Sequence, residues 1–144
     1  MRVQGLLRTK GNEVETIDPS ATVAEVVDAL VRRGIGALVV SADGEHIDGI
    51  VSERDIVQSL AAYGADLLAQ PVSVVMTDFV HTCTAETSVH DLMSLMTTER
   101  VRHVPVVDGD RLVGIVSIGD VVKSRILELE HEMQAVHEYI THGR

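Results

Sequence analysis

An α/β (α+β) fold, built as two pseudo-symmetric β-α-β-β-α repeats packed into one module, is predicted by three observations. The segment Gly49-Ile50-Val51-Ser52-Glu53-Arg54-Asp55 returns as Gly114-Ile115-Val116-Ser117-Ile118-Gly119-Asp120. The likeness extends upstream, where Val14-Glu15-Thr16 aligns with Val80-His81-Thr82, residues 22–30 with 88–96, and Leu38-Val39-Val40 with Val104-Pro105-Val106. The offset is 66 residues to that point and 65 from Gly49 onward, so one supersecondary unit is used twice with a single loop residue lost. Thirdly, a chain of 144 residues leaves each unit only roughly 60, too few to bury a stable core alone, so the two must pack together.

The elements follow in order. Residues 1–13, with Gly5, Lys10, Gly11 and Asn12, are mostly polar and read as an N-terminal arm. The first repeat, 14–62, opens with a short extended segment ended by Asp18-Pro19. After Thr22, the apolar positions Val23, Val26, Val27, Leu30 and Val31 fall at helical spacing and stop at Gly34. Leu38-Val39-Val40 reads as a buried strand, Asp43-Gly44 as a turn, and residues 47–51 as a second strand before a helix over 53–62. Residues 63–79 form the linker, with a helical turn at 72–76. The second repeat, 80–128, copies the order with strands at 80–84, 104–107 and 112–116. Its last helix continues as an extension, 129–144, along one apolar face. A helix that overhangs its domain in this way calls for a second chain to cover it.

Composition narrows the function. A formal net charge of -10, with no basic run longer than Arg32-Arg33, opposes nucleic-acid binding, which needs clustered cations. No apolar run approaches a membrane span, and the N-terminus lacks a secretory apolar core. Cys83 is the single cysteine, so no intramolecular disulfide forms and a reducing cytoplasm is expected. With Tyr63, Phe79 and Tyr139 the only aromatics, a planar ligand must rest on aliphatic walls and backbone.

Four Ser/Thr-x-x-Asp/Glu patterns stand at predicted helix starts: Thr22/Glu25, Ser52/Asp55, Ser88/Asp91 and Ser117/Asp120. At Thr22 and Ser88 a capping box explains them fully. Ser52 and Ser117 sit where a buried strand runs straight into a helix, behind a Gly that admits another group to the backbone. There the same atoms serve equally as a cap or as a ligand site, with free N–H groups for an anion and an Asp for a ribose. Arg54 either pairs with a phosphate through its planar fork or stands as a solvated helix residue, and Gly119 replaces it in the second copy. Arg102 and His103 enter the matching strand, where they face an inter-repeat cleft or simply form its rim. His137 and His142 are five residues apart and point to different helix faces, which excludes a zinc-protease pair. Cys83 reads as a buried structural thiol. A Ser52, Asp55 and His103 catalytic set is poorly placed, because the Asp follows the Ser on one helical turn.

The duplicated order, both Gly-Ile-Val-Ser-x-x-Asp endings and Arg102-His103-Val104-Pro105-Val106-Val107-Asp108 resemble the tandem cystathionine β-synthase (CBS) domain family. Gly34-Ile35-Gly36-Ala37-Leu38, Ser52-Glu53-Arg54-Asp55 and Glu138-Tyr139-Ile140 are similar to its small stand-alone bacterial members. The resemblance covers residues 14–128 and implies a non-catalytic regulatory module, the Bateman module, that binds AMP, ATP or NAD(H) in clefts between the repeats. It implies ribose contacts from Asp55 and Asp120, and phosphate contacts from Ser52 and Ser117 with Arg54. The adenine pockets would be lined by Thr16 and Ile17 with Gly36, Ala37 and Leu38, and by Thr82 with Arg102, His103, Val104 and Pro105. It further implies a homodimer and an effector protein that reads the signal. The Arg54/Gly119 difference makes two equal sites unexpected.

Overall fold

The computed structural model describes residues 1–11 and 13–143; Asn12 of the predicted arm and Arg144 at the end of the extension lie outside them. Helix α1 (Val3–Lys10) comes first. It is followed by β1 (Thr16–Ile17), α2 (Val23–Arg33), β2 (Ala37–Val40), β3 (Gly49–Ser52) and α3 (Glu53–Tyr63). Two 3-10 turns, Gly64–Ala69 and Val72–Val74, carry the linker. The second half contains α4 (Val89–Glu99), β4 (His103–Asp108), β5 (Arg111–Ser117) and α5 (Ile118–His142).

In the first half β1 pairs parallel with β2, and β2 antiparallel with β3. In the second, β4 and β5 form the antiparallel pair. The strand expected over 80–84 shrinks to one bridge, Cys83 beside Val106. Its bonding still mirrors the first half: Val107 N donates to Cys83 O as Ser41 N donates to Ile17 O. The missing bridge is the one next to it: Pro105 stands where the first half has Val39, which pairs with Thr16, and a proline has no N–H to extend the ladder.

The largest departure from expectation is α1. Val3 and Leu6, one turn apart, are buried in the second half's core with Leu92, Met96, Val104 and Val116. A short helix with three apolar positions has no strong periodic signal, and tertiary packing rather than propensity forms it. The first half is closed in the same way by the linker, through Leu67, Val72 and Val75. The bonds correspond one to one. Val3 N and Gln4 N donate to Thr87 O and Ala85 O, as Val72 N and Ser73 N donate to Ala21 O and Pro19 O. Each repeat therefore has its core completed by the segment preceding the other.

The Gly heading each repeated motif serves this closure. A Cβ on Gly49 would lie 2.7 Å from the Met76 sulfur and 2.9 Å from the Thr77 carbonyl oxygen; on Gly114 it would lie 2.7 Å from Leu7 Cδ2. The group that approaches the backbone is thus the protein's own closing segment. The halves also meet at their hairpins, where Leu112 N donates to Glu45 O at 2.7 Å and Arg111 pairs with Glu45 at 3.1 Å.

Candidate functional site

Both strand-to-helix junctions make a complete capping box. Ser52 N and Ser52 Oγ donate to Asp55 Oδ2 at 2.8 and 3.0 Å, and Asp55 N donates to Ser52 Oγ at 3.3 Å. Ser117 and Asp120 repeat this at 2.8, 3.0 and 3.2 Å. The first helical N–H is taken too: Glu53 N donates to Gly36 O at 3.0 Å and Ile118 N to Arg102 O at 2.8 Å. The expected reserve of free N–H donors is therefore largely spent inside the chain. The unused acceptors lie on the carboxylates, since no hydrogen bond among the described residues reaches Oδ1 of Asp55 or Asp120.

Asp55 lines a cleft of about 650 Å³ between the repeats. Gly36, Ala37, Ser52, Glu53 and Arg54 form one wall with it; Thr77, Phe79, His81, Arg100, Arg102 and His103 form much of the other. The two walls come close at Gly36, where a Cβ would lie 3.2 Å from His103 Cε1. Phe79 is 74% exposed and meets His81 edge-on, with ring centroids 5.1 Å apart. An aromatic face is thus present at the cleft, although composition pointed to aliphatic walls. The expected set also leaves out Thr77 and His81, which read as linker and strand entry, Glu53, which is a variable position of the repeated motif, and Arg100, which reads only as a helix end.

Seven of the expected site residues come together here: Gly36, Ala37, Ser52, Arg54, Asp55, Arg102 and His103. The others lie elsewhere. Thr16 and Ile17 sit on β1, with Ile17 packed against the first core. Leu38, Val104 and Pro105 are buried in their strands, and Thr82 is exposed outside the cleft. Ser117 caps α5, and Asp120 borders a separate cavity of about 530 Å³ between α1 and α5.

The two Ser/Asp junctions differ in a way the Arg54/Gly119 exchange did not reveal. In the first half Thr77 pairs its backbone with Ile50. In the second, Lys10 takes the place of that bridge, donating from Nζ to Ile115 O at 3.0 Å and to Asp120 Oδ2 at 2.7 Å. Burial pushes the Asp120 carboxyl up, but hydrogen bonds from Lys10 and Ser117 outweigh it and hold the group below its ordinary value. The second carboxylate is thus already paired with a cation of its own chain.

Arg100 ends α4 in the left-handed conformation, φ 55°, where the first half has Gly34 at φ 61°. A non-Gly residue in that conformation carries strain of about 1 kcal/mol or more. Arg100→Gly is expected to raise unfolding free energy by roughly 1 kcal/mol in chemical denaturation while removing a guanidinium from the cleft. A loss of stability would show that the arginine is held there by contacts worth more than its strain.

Burial holds the His103 imidazole below its ordinary pKa, helped by Lys10 and Arg102 and opposed by Glu53 and Asp120. A histidine depressed in the folded state contributes stability above its unfolded value of about 6.5, lost as pH falls through the folded value. The exposed His46, raised by Asp43, acts oppositely: its contribution is present below that pH and fades as pH rises. Denaturation midpoints at pH 7.5 and 5.5 should therefore fall less on acidification in His103→Gln than in the unaltered chain. Equal falls would contradict this role. Cys83 is buried and its thiol is pushed up to about 11 by desolvation, the behaviour of an inert structural thiol.

Among the described residues, no group of three or more His, Cys, Asp or Glu is arranged to hold a metal ion, and no helix is long and apolar enough to cross a membrane. The CBS domain pattern matches residues 8–62 and again 72–126. A crystal structure of a CBS-domain-containing protein from Agrobacterium tumefaciens superposes with a TM-score of 0.84 at 46% identity, covering 87% of this chain and 99% of that one. The mitochondrial CBS domain-containing protein CBSX3 of Arabidopsis thaliana is 37% identical over 126 residues, which is 85% of this chain and 61% of that relative's length. The structure of CBSX2 in complex with AMP shares the fold, with a TM-score of 0.72 at 24% identity over 88% of this chain and 96% of that one. The two matched units, the shared fold and these relatives together show that the chain belongs to the CBS domain family, as a tandem pair.

Proposed function

We propose that the chain is a non-catalytic regulatory module that senses an adenosine nucleotide (AMP, ATP or NAD(H)) in the cleft at Asp55. One observation carries the reading. In a chain of net charge -10, Arg54, Arg100 and Arg102 gather round one cleft with a carboxylate whose Oδ1 is unused. That pairing suits an anionic phosphate joined to a hydroxylated sugar, and Phe79 offers its face to a base. CBSX2, a protein of the same fold, binds AMP, which supports the ligand class. Since the cleft walls come from both repeats, a bound nucleotide would shift their packing, to the extent that it prefers one arrangement. An effector protein reads that shift. The single buried thiol fits a reducing cytoplasm.

We place the working unit as a homodimer. Val57 on α3 and Val122 on α5 occupy equivalent positions and are both exposed, flanked by Leu60 and Ile118, an apolar surface that a second copy would cover. Calorimetric titration with AMP, ATP and NAD tests the ligand reading: saturable heat is expected, and none at millimolar concentration would sink it. The intact capping boxes support a second reading, a structural dimerisation module with vestigial clefts. A melting temperature that ignores nucleotide but falls on dilution would favour it.

Under the main reading one nucleotide binds per chain, because a second must displace Lys10 from Asp120. Lys10→Ala is expected to raise the stoichiometry from one toward two, the competing pair being worth on the order of 1 kcal/mol at its partial exposure. Unchanged stoichiometry would show that Lys10 is not what closes the second site.

A further inference from the structure

The overhang of α5 carries a pattern that the nucleotide cleft does not use. Val121 is the last buried residue of this 25-residue helix. Beyond it Val122, Ile126, Leu129, Met133, Val136 and Ile140 are 42 to 74% exposed. Their spacings alternate between four and three residues without a break. This is the 3.5-residue period of a coiled-coil seam, narrower than the stripe with which a helix faces a globular core. Ile126, Met133 and Ile140 fall at a positions, and Val122, Leu129 and Val136 at d.

The flanking charges select the partner and its direction. Arg125 and Glu132 occupy g positions, and Glu130 and His137 occupy e positions. In a parallel pair each g residue faces the e residue of the next heptad in the other strand. Arg125 then meets Glu130 of the second copy, and Glu132 meets His137. In an antiparallel pair the same seam sets Glu130 against Glu130 and Glu132 against Glu132, which is repulsive. Arg125 pairs with Glu128 one turn on in the single chain at 3.1 Å, an exposed contact weak enough to exchange. Ile at two of the three a positions with Leu129 at the central d fits two strands.

We propose that the exposed stripe of α5 forms a parallel two-stranded coiled coil with the same helix of a second copy. This rests on the homodimer reading and adds its orientation. The two α5 overhangs leave the dimer side by side, so both their C-terminal ends present one composite surface.

The test uses the full chain without nucleotide, so that the ligand reading is not involved. Sedimentation equilibrium should show a dimer, and the double variant Leu129→Lys/Val136→Lys should weaken it at least tenfold. Both positions lie outside the cores, and an unchanged circular dichroism spectrum would confirm folding. Ile140→Cys should form a disulfide-linked dimer under mild oxidation, because a parallel seam stacks the two cysteines while Cys83 is buried. An antiparallel seam would hold them roughly 25 Å apart. A dimer without the cross-link overturns the parallel pairing and leaves the homodimer reading intact. A dimer indifferent to both lysines overturns the coiled coil, and a chain monomeric at all concentrations overturns both.

Discussion

Asp55→Ala is expected to weaken AMP binding about a hundredfold in calorimetry. The carboxylate would accept two hydroxyl hydrogen bonds from the ribose, and bonds to a charged group contribute about 1.5–3 kcal/mol each. The variant also loses its half of a capping box, made by Ser52 N and Ser52 Oγ on Asp55 Oδ2, which costs about 1 kcal/mol of stability. The two effects separate in Asp55→Asn, whose amide oxygen still caps α3 but which brings no charge to the sugar. Binding should fall in Asp55→Asn with stability nearly kept. Asp120→Ala should leave the first equivalent of nucleotide unaffected, because its carboxylate faces Lys10 in a different cavity. Equal losses from Asp55→Ala and Asp120→Ala would mean that both clamps share one ligand or that neither holds it.

Gly49→Ala is expected to destabilise the fold by about 3 kcal/mol, at the upper end for overpacking a tight contact. Its Cβ would meet the Thr77 carbonyl oxygen at 2.9 Å as well as the Met76 sulfur at 2.7 Å. The backbone group cannot rotate away, and Ile50 N depends on it for its bond to Thr77 O. Gly114→Ala meets only the end of the Leu7 side chain, which can turn, so about 1 kcal/mol is expected. Urea denaturation of the pair should give this order. The reverse would show that α1 closes the second repeat more rigidly than the linker closes the first.

These two predictions rest on parts of the molecule that were unequally legible in the chain. The duplication, the first repeat's β-α-β-β-α order and the caps are local signals, carried by residue spacing and side-chain type. The second repeat keeps the order except for its opening strand, and Ser88 accepts from Asp91 N without the return bond that completes the other three boxes. The role of α1 was not legible, because Val3, Leu6 and Leu7 mean little until the second half supplies a surface for them. The same long-range closure explains why Gly49 and Gly114 head the motif: the group needing room is a distant segment of the same chain. For the site, Ser52 and Asp55 were readable as a motif, and the cleft brings Gly36, Arg102 and His103 to them. Phe79, His81 and Arg100 were not, since nothing in 77–81 or at a helix end marks a wall of a cleft between two repeats. Lys10 was the least readable, because it reaches Asp120 across 110 residues of sequence.

A crystal structure of the full chain with saturating AMP tests the central claim most directly. The expected density places the ribose diol within hydrogen-bond reach of Asp55, the phosphate among Arg54, Arg100 and Arg102, and Lys10 still on Asp120. Nucleotide density at Asp120 with the Asp55 cleft empty would contradict it.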